Sequence, residues 1–194
     1  MVQQPTTRQR RSKNSQQGFT LLETMISMVI LTVGLVALLG VVGMALTATQ
    51  TSQEDMIAKK LAQETVESIY SARNTANITW SQVQNVGTTG IFVTGFLPIR
   101  EAGTDGLYGT LADGSANPQV LRLAGPDGVY GTADDVLQPL SNFQRSIAIA
   151  TVPNPATGAD YTNLRKLTVT IQYSTPQYRL PKQYVLTSFI SQYR

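Results

Sequence analysis

The sequence contains no cysteine and no histidine among its 194 residues. Without cysteine the chain can form neither a disulfide framework nor a thiolate metal site. Without histidine it lacks the most common general base, the most common zinc ligand and the imidazole that activates serine or cysteine nucleophiles. Both absences argue against catalysis, so we expect no catalytic residues and no enzymatic activity.

Acidic residues are missing from the first part of the chain. The sequence has 15 Lys and Arg against 12 Asp and Glu, and four of the basic residues precede Gly18: Arg8, Arg10, Arg11 and Lys13. The rest of the chain is nearly neutral and has no obvious basic patch, so no nucleic-acid partner is predicted. Because Lys and Arg beside a membrane span stay cytoplasmic, the basic segment predicts a cytoplasmic N-terminus with the bulk of the protein on the far side.

A long segment then lacks charge of either sign. No charged residue occurs from Thr24 to Gln53, and the apolar part extends from Met25 to about Ala48. A helix rises about 1.5 Å per residue, so this run is long enough to cross a bilayer. A secretory signal peptide would have a shorter apolar core followed by a small-residue cleavage site. We therefore predict a membrane-spanning helix over residues 19–48, for which a plain signal anchor is the simplest explanation.

The junction between the basic and apolar segments reads Gly18-Phe19-Thr20-Leu21-Leu22-Glu23. This arrangement resembles the type IV prepilin family, in which a short basic leader ends in glycine and precedes a hydrophobic helix with an acid near its start. The resemblance implies cleavage between Gly18 and Phe19 and N-methylation of Phe19. It also implies that the Glu23 carboxylate pairs with the Phe19 ammonium of a neighbouring subunit. A plain signal anchor would explain neither Gly18 nor Glu23.

The resemblance also implies a location and a set of partners. The precursor would cross the inner membrane once, with a cytoplasmic leader over residues 1–18 and a periplasmic head, before moving to a pilus at the cell surface. Its partners would be other pilin or pseudopilin subunits, the prepilin peptidase and N-methyltransferase, the inner-membrane assembly platform and membrane lipid.

Two departures from the pattern of major pilins favour a minor subunit. The span contains Gly40 but no proline, and no cysteine pair is present to staple a C-terminal loop. The chain is most similar to minor pilins of the PilV kind, which implies a role in pilus initiation or at the tip. Two alternatives remain: a minor pseudopilin of type II secretion, and a calcium-dependent binding or adhesion module on a pilin-like anchor.

Periodicity beyond the span predicts how the helix continues. Ile57, Leu61, Thr65 and Ile69 recur every four positions, and this mainly apolar stripe is the pattern of an amphipathic helix. We therefore predict one helix from Phe19 to about Ala72, whose amphipathic half occupies residues 49–74.

The C-terminal third shows the alternation of β-strands. Apolar and polar residues alternate over 143–149, 167–173 and 184–190, which predicts three strands in an antiparallel meander. A short apolar run at 90–93 suggests a further strand. The expected fold class is α+β and pilin-like: a long N-terminal helix packed on a small antiparallel sheet within a head over residues 75–194.

One motif occurs twice in the head, within residues 103–136. The run Asp-Gly-Leu-Tyr-Gly-Thr at 105–110 recurs with one change at 127–132, which is 22 positions later. Carboxylates close to glycine turns suit calcium, which takes six to eight oxygen ligands. The predicted ligands are three acids of the second copy, with two acids of the first copy as a smaller set: Asp127, Asp134 and Asp135, then Asp105 and Asp113.

The same repeat is also compatible with loops that bind no metal. Its spacing is not that of an EF-hand, because the twelve-residue loop and its terminal glutamate are missing. The copies resemble the Asp-Gly-rich calcium loops of some pseudopilins. Aspartates that accept hydrogen bonds from their own backbone in Asx turns would give the same sequence, as would a β-hairpin or a loop pair duplicated for display.

Overall fold

A single helix, α1, runs from Leu21 to Asn74 in the computed structural model, which describes residues 19–87, 89–175 and 180–193. The helix begins and ends within two residues of the sequence prediction. Its C-terminus closes where Ala76 adopts a left-handed conformation (φ 63°) and the amide of Asn77 donates to the carbonyl of Ala72. Such a left-handed residue is a common way to end a helix.

The chain divides into two compact units, one up to Leu46 and one from Thr47 onward. Within the described part, the first unit is helical from Leu21, and all its side chains are exposed. By length and composition α1 qualifies as a candidate membrane span. A helix that is apolar on every side needs lipid or other helices around it.

The strands of the second unit form two antiparallel sheets. In chain order they are β1 (Leu97–Pro98), β2 (Val120–Leu123), β3 (Val136–Pro139), β4 (Phe143–Pro153), β5 (Asp160–Tyr173) and β6 (Lys182–Ser191). The larger sheet has four strands in the order β1-β4-β5-β6. Its three long strands are those predicted from the alternation, and they form the predicted meander. The pairing register of β4 with β5 shifts between Thr151 and Pro153.

The core of the head lies between the C-terminal half of α1 and one face of this sheet. The helix contributes a buried stripe that includes Ala58, Leu61, Ala62, Thr65, Val66 and Ile69. The sheet contributes Phe143, Ile147, Leu167, Val169, Ile171, Tyr173 and Ile190. The hydroxyl of Thr65 donates to the Leu61 carbonyl at 2.7 Å, so the polar atom in the stripe is satisfied. The predicted α+β pilin-like fold is thereby confirmed.

The smaller sheet is a separate hairpin in which β2 pairs with β3. The alternation did not reveal this hairpin, because most of its side chains are exposed. The prediction of a strand at 90–93 was wrong, because this segment makes only isolated bridges. The chain folds back closely here, and a side chain at Gly90 would strike the carbonyl of Asn85.

Candidate functional site

The start of α1 is fixed by a threonine cap. The hydroxyl of Thr20 accepts a hydrogen bond from the amide of Glu23 at 3.3 Å, and the Thr20 carbonyl accepts from Glu23 and Thr24. A capping hydroxyl satisfies one of the free amides at a helix N-terminus. An acid in the first turn also interacts favourably with the helix dipole. Thr20 thus sets where the helix begins and places Glu23 in its first turn.

The Glu23 side chain has no hydrogen bond or ion pair with any described residue, although its backbone is fully engaged in the helix. Phe19 lies immediately before the capped turn and is exposed. Gly18 and the leader lie outside the described residues. Among the described residues of this unit, the structure therefore presents a carboxylate without a partner at the beginning of an apolar helix.

The hydroxyl side chains of the same segment are satisfied within the helix. Thr24 donates to the Leu21 carbonyl, while Ser27 and Thr32 donate to the carbonyls four residues before them at 2.7 Å. Such back-bonding leaves these hydroxyl donors satisfied in a hydrocarbon environment. The Glu23 carboxylate, in contrast, has no such partner among the described residues.

The two aspartate repeats fold into equivalent loops, here called the first loop (residues 103–113) and the second loop (residues 125–135). In the first loop Asp105 accepts from the amide of Leu107 at 3.1 Å, and Asp113 accepts from the amide of Gly109. In the second loop the same bonds join Asp127 to Val129 at 2.8 Å and Asp135 to Gly131 at 2.7 Å. Both loops therefore contain the Asx turns considered from the sequence.

The equivalence extends beyond the six residues that are obvious in the sequence. Each loop begins with a glycine whose carbonyl accepts from the glycine three residues later, at Gly103 and Gly125. A side chain at the first of these glycines would strike Ala112, and a side chain at the second would strike Asp134. An alignment of the two copies from these glycines onward would have revealed the longer duplication. It would also have shown that Ala112 of the first copy corresponds to the acid Asp134 of the second.

Burial distinguishes the two loops. In the first loop Leu107 is fully buried in the core, and Tyr108 donates to the Glu64 carboxylate at 2.7 Å. The guanidinium of Arg145, itself only 4% exposed, lies 4.6 Å from the centre of the Tyr108 ring. A cation over an aromatic face is attractive, and more so where water is excluded. The first loop is thus docked onto its own head.

The second loop connects β2 to β3, and its apolar pair is exposed. Val129, which corresponds to Leu107, is 55% exposed, and Tyr130, which corresponds to Tyr108, is 69% exposed. The same local structure therefore presents equivalent side chains to solvent in one copy and to the core in the other.

Three acids of the two loops have shifted pKa values, in opposite directions for the two loops. Burial raises the pKa of Asp113, whereas the amide of Gly131 lowers the pKa of Asp135. The Thr132 hydroxyl, which donates to Asp134 at 2.6 Å, is the main cause of the lowered pKa of that acid. Asp134 and Asp135 therefore stay charged to lower pH than ordinary aspartates.

Tyr108 titrates abnormally because of its docked position. Burial and its hydrogen bond to Glu64 raise the pKa of Tyr108 to about 12, from an ordinary value of 10.0. A raised folded-state pKa gives stability that is present below pH 10 and is lost as the pH rises toward 12. We expect the melting temperature of the wild type to fall more steeply over this range than that of Tyr108→Phe. Tyr161→Phe, a change at an exposed tyrosine near the start of β5, is the control. Parallel curves of melting temperature against pH for the wild type and Tyr108→Phe would show that Tyr108 does not have a raised pKa.

The structure brings the predicted calcium ligands into one loop without building a complete metal site. Among the described residues, no group of three or more Asp, Glu, His or Cys side chains lies close enough to hold a metal ion. Asp134 accepts from the amide of Asp127 at 3.3 Å, and Asp135 forms an ion pair with Arg122 at 3.1 Å. One oxygen of Asp135, Oδ1, is nevertheless buried and has no hydrogen-bond partner within the described part of the chain.

Comparison with known proteins identifies the N-terminal segment. Residues 13–39 match the model of the prokaryotic N-terminal methylation motif. This stretch contains the glycine, the capped turn, Glu23 and the first part of the apolar helix. No curated protein matches the chain. No solved structure matches it either.

The N-terminal segment therefore carries a prepilin motif, and the helix packed on an antiparallel sheet is consistent with a pilin-like fold. The motif supports a protein of the type IV pilin or pseudopilin kind. The motif implies processing by prepilin peptidase and assembly with other pilin subunits, and the apolar helix indicates membrane anchoring.

Proposed function

We propose that the protein is a minor pilin of the PilV kind, a non-enzymatic subunit that acts in type IV pilus initiation or at the pilus tip. The prepilin peptidase and N-methyltransferase cleaves the precursor between Gly18 and Phe19 and methylates the new N-terminus. The observation that supports this proposal best is the Glu23 carboxylate, which has no partner among the described residues of its own chain.

The proposed assembly step follows from the cost of burying charge. An unpaired carboxylate within a membrane is unfavourable, and so is an unpaired ammonium at the mature N-terminus. Pairing Glu23 of one subunit with the Phe19 ammonium of the next removes both costs, chiefly because the unpaired alternative is worse. A subunit therefore enters the fibre in the register in which the two charges meet.

In this proposal the leader faces the cytoplasm and the head faces the periplasm. The mature protein leaves the inner membrane through the assembly platform and reaches the cell surface in the pilus. Lipid surrounds the helix before assembly, and the helices of other subunits surround it afterwards. Nucleic acid has no part in this function.

Mass spectrometry of the cell-associated protein tests the processing step. We expect the mature chain to begin at Phe19 with one added N-methyl group. A Gly18→Leu precursor should accumulate uncleaved, because a side chain at this position obstructs the peptidase. A mature chain that begins elsewhere, or normal cleavage of Gly18→Leu, would contradict the proposal.

A minor pseudopilin of type II secretion is the second candidate, and the second aspartate loop favours it. The loop resembles calcium loops of pseudopilins, and its Asp134 replaces the Ala112 of the first loop. Deleting the gene separates the two functions: loss of surface pili with normal secretion indicates the pilus, and loss of secretion with normal pili indicates the pseudopilus.

We propose that the second loop holds calcium. Asp127, Asp134 and Asp135 would supply carboxylate oxygens, and the buried Oδ1 of Asp135 lacks a hydrogen-bond donor within the described residues. Bound calcium would offset two of the three negative charges of the loop and keep its turns closed. It would also make the head a calcium-dependent binding or adhesion module. Asp105 and Asp113 of the first loop form the smaller candidate set.

Thermal melting of the full chain in detergent tests calcium binding. A ligand that binds only the folded state adds about 2.7 kcal/mol at a hundred times its Kd, which corresponds to a rise of roughly 5–10 °C for a protein of this size. We expect this rise in the wild type and in Asp113→Asn, but not in Asp135→Asn. A melting temperature that does not respond to calcium would leave the Asx turns as the function of these acids.

A further inference from the structure

The second loop exposes an apolar pair of side chains, whereas the equivalent pair of the first loop is already packed against the head. Both loops have the same Asx turn and the same glycine-to-aspartate hydrogen bond, so their apolar pairs stand on equivalent backbones. The pair of the first loop is packed against the head, while Val129 and Tyr130 are 55% and 69% exposed.

The surroundings of the second loop extend this exposed surface. The hairpin that carries the loop has four further apolar side chains that are 38–56% exposed: Val120, Leu123, Val136 and Leu137. Leu123 and Val136, which pair directly beside the loop, lie on one face of the hairpin, and exposed apolar surface of this kind commonly marks a site of protein–protein interaction. Tyrosine is also among the residues that contribute most to protein interfaces, because it combines a large apolar ring with a polar end.

The first loop shows what chemistry such a pair binds. Leu107 fills an apolar site in the core, the Tyr108 hydroxyl donates to the carboxylate of Glu64, and the guanidinium of Arg145 covers the ring. A partner for Val129 and Tyr130 would therefore offer an apolar recess, a carboxylate at its edge and an arginine above the ring.

A second copy of this chain does not offer that site, because its own Tyr108 already fills the place between Glu64 and Arg145. We propose that the second loop docks onto the head of a different pilin-like subunit, one that presents an unoccupied carboxylate and arginine beside an apolar recess. This inference rests on the proposed function, since it places the protein next to other subunits in a fibre. It would make the second loop the element that selects the neighbour.

Photocrosslinking in the producing cells tests the identity of the partner. A benzoylphenylalanine probe replaces Tyr130 in the full chain, and a probe at Tyr161, on the exposed end of β5, is the matched control. We expect the probe at 130 to give an adduct with a second protein that carries a prepilin motif, and the crosslinked peptide to contain an acid and an arginine. An adduct with another copy of this chain, with lipid, or with a protein lacking the motif would overturn the proposal, as would equal yields at both positions.

Substitution separates docking from folding. We expect Tyr130→Ala to leave the melting temperature of the full chain within about 2 °C of the wild type, because its side chain contacts little of its own head. The same change should lower its recovery in sheared fibres by about tenfold, as for a tyrosine at the centre of an interface. Tyr108→Ala should instead lower the melting temperature.

Recovery of the wild type and of Tyr130→Ala in sheared fibres tests the proposed function and the docking role of the second loop separately. Wild-type protein that never appears in sheared fibres or in the secretion complex would refute the proposed function. Wild-type protein that is present, with Tyr130→Ala recovered equally well, would refute the docking role of the second loop and leave the proposed function standing.

Discussion

Glu23→Gln is expected to leave the protein in the membrane and to reduce its recovery in sheared fibres by at least tenfold. The substitution keeps the size of the side chain and removes the charge, so the ammonium of the neighbouring N-terminus loses its partner. Removing one member of a buried ion pair typically costs about 3–5 kcal/mol, and each 1.4 kcal/mol is about a factor of ten in an equilibrium. Quantitative immunoblots of the membrane and sheared fractions measure the effect.

Two controls make this experiment specific. Ser27→Ala removes a hydroxyl that bonds to the backbone carbonyl of Glu23 and changes no charge, so its incorporation should be near normal. Glu23→Asp keeps the charge on a shorter side chain, so its recovery in sheared fibres should lie between those of the wild type and Glu23→Gln. Normal incorporation of Glu23→Gln would show that the acid serves only the first turn of the helix, where Thr20 already provides the cap.

The parts of the fold that follow a simple period were predictable. Alternating residues such as Val169 and Ile171 face a core on one side of β5 only, so burial leaves a period-two pattern in the sequence. The helical stripe around Leu61 and Ile69 is visible for the same reason. The β2–β3 hairpin gave no such signal, because its exposure on both faces removes the constraint that produces alternation.

The candidate site was predictable only in its local parts. The order of Gly18, Phe19 and Glu23 is a continuous motif, and the Asx turns depend on residues two positions apart. The position of Tyr108 between Glu64 and Arg145 depends on contacts between distant segments, and no local pattern encodes such contacts. For the same reason the sequence did not predict that the first loop is buried and the second exposed, since this depends on surrounding residues that the repeat does not contain.

Gly109→Ala is expected to destabilise the head more than Gly131→Ala, although the two glycines occupy equivalent positions. Both have positive φ angles, 78° and 91°, and a side chain in this region costs about 1–2 kcal/mol. A Cβ at Gly109 would also collide with the side chain of Ile147, whereas a Cβ at Gly131 would meet nothing within 4 Å. Overpacking a core costs a further 1–3 kcal/mol or so.

Equilibrium unfolding of the full chain in detergent measures this difference. We expect losses of about 2–5 kcal/mol for Gly109→Ala and about 1–2 kcal/mol for Gly131→Ala. The collision can be relieved because Ile147→Val removes the methyl group nearest to the new Cβ. On its own this change should cost about 0.5–1.5 kcal/mol.

Combined with Gly109→Ala, the Ile147→Val change should cost less than it does alone or restore stability, which a double-mutant cycle detects as coupling. Combined with Gly131→Ala, it should be additive, because the second loop does not touch this part of the core. Equal losses in the two loops, or coupling of Ile147 to both glycines, would mean that the first loop is not docked as described. The contacts of the first loop would then no longer indicate what kind of site the exposed second loop binds.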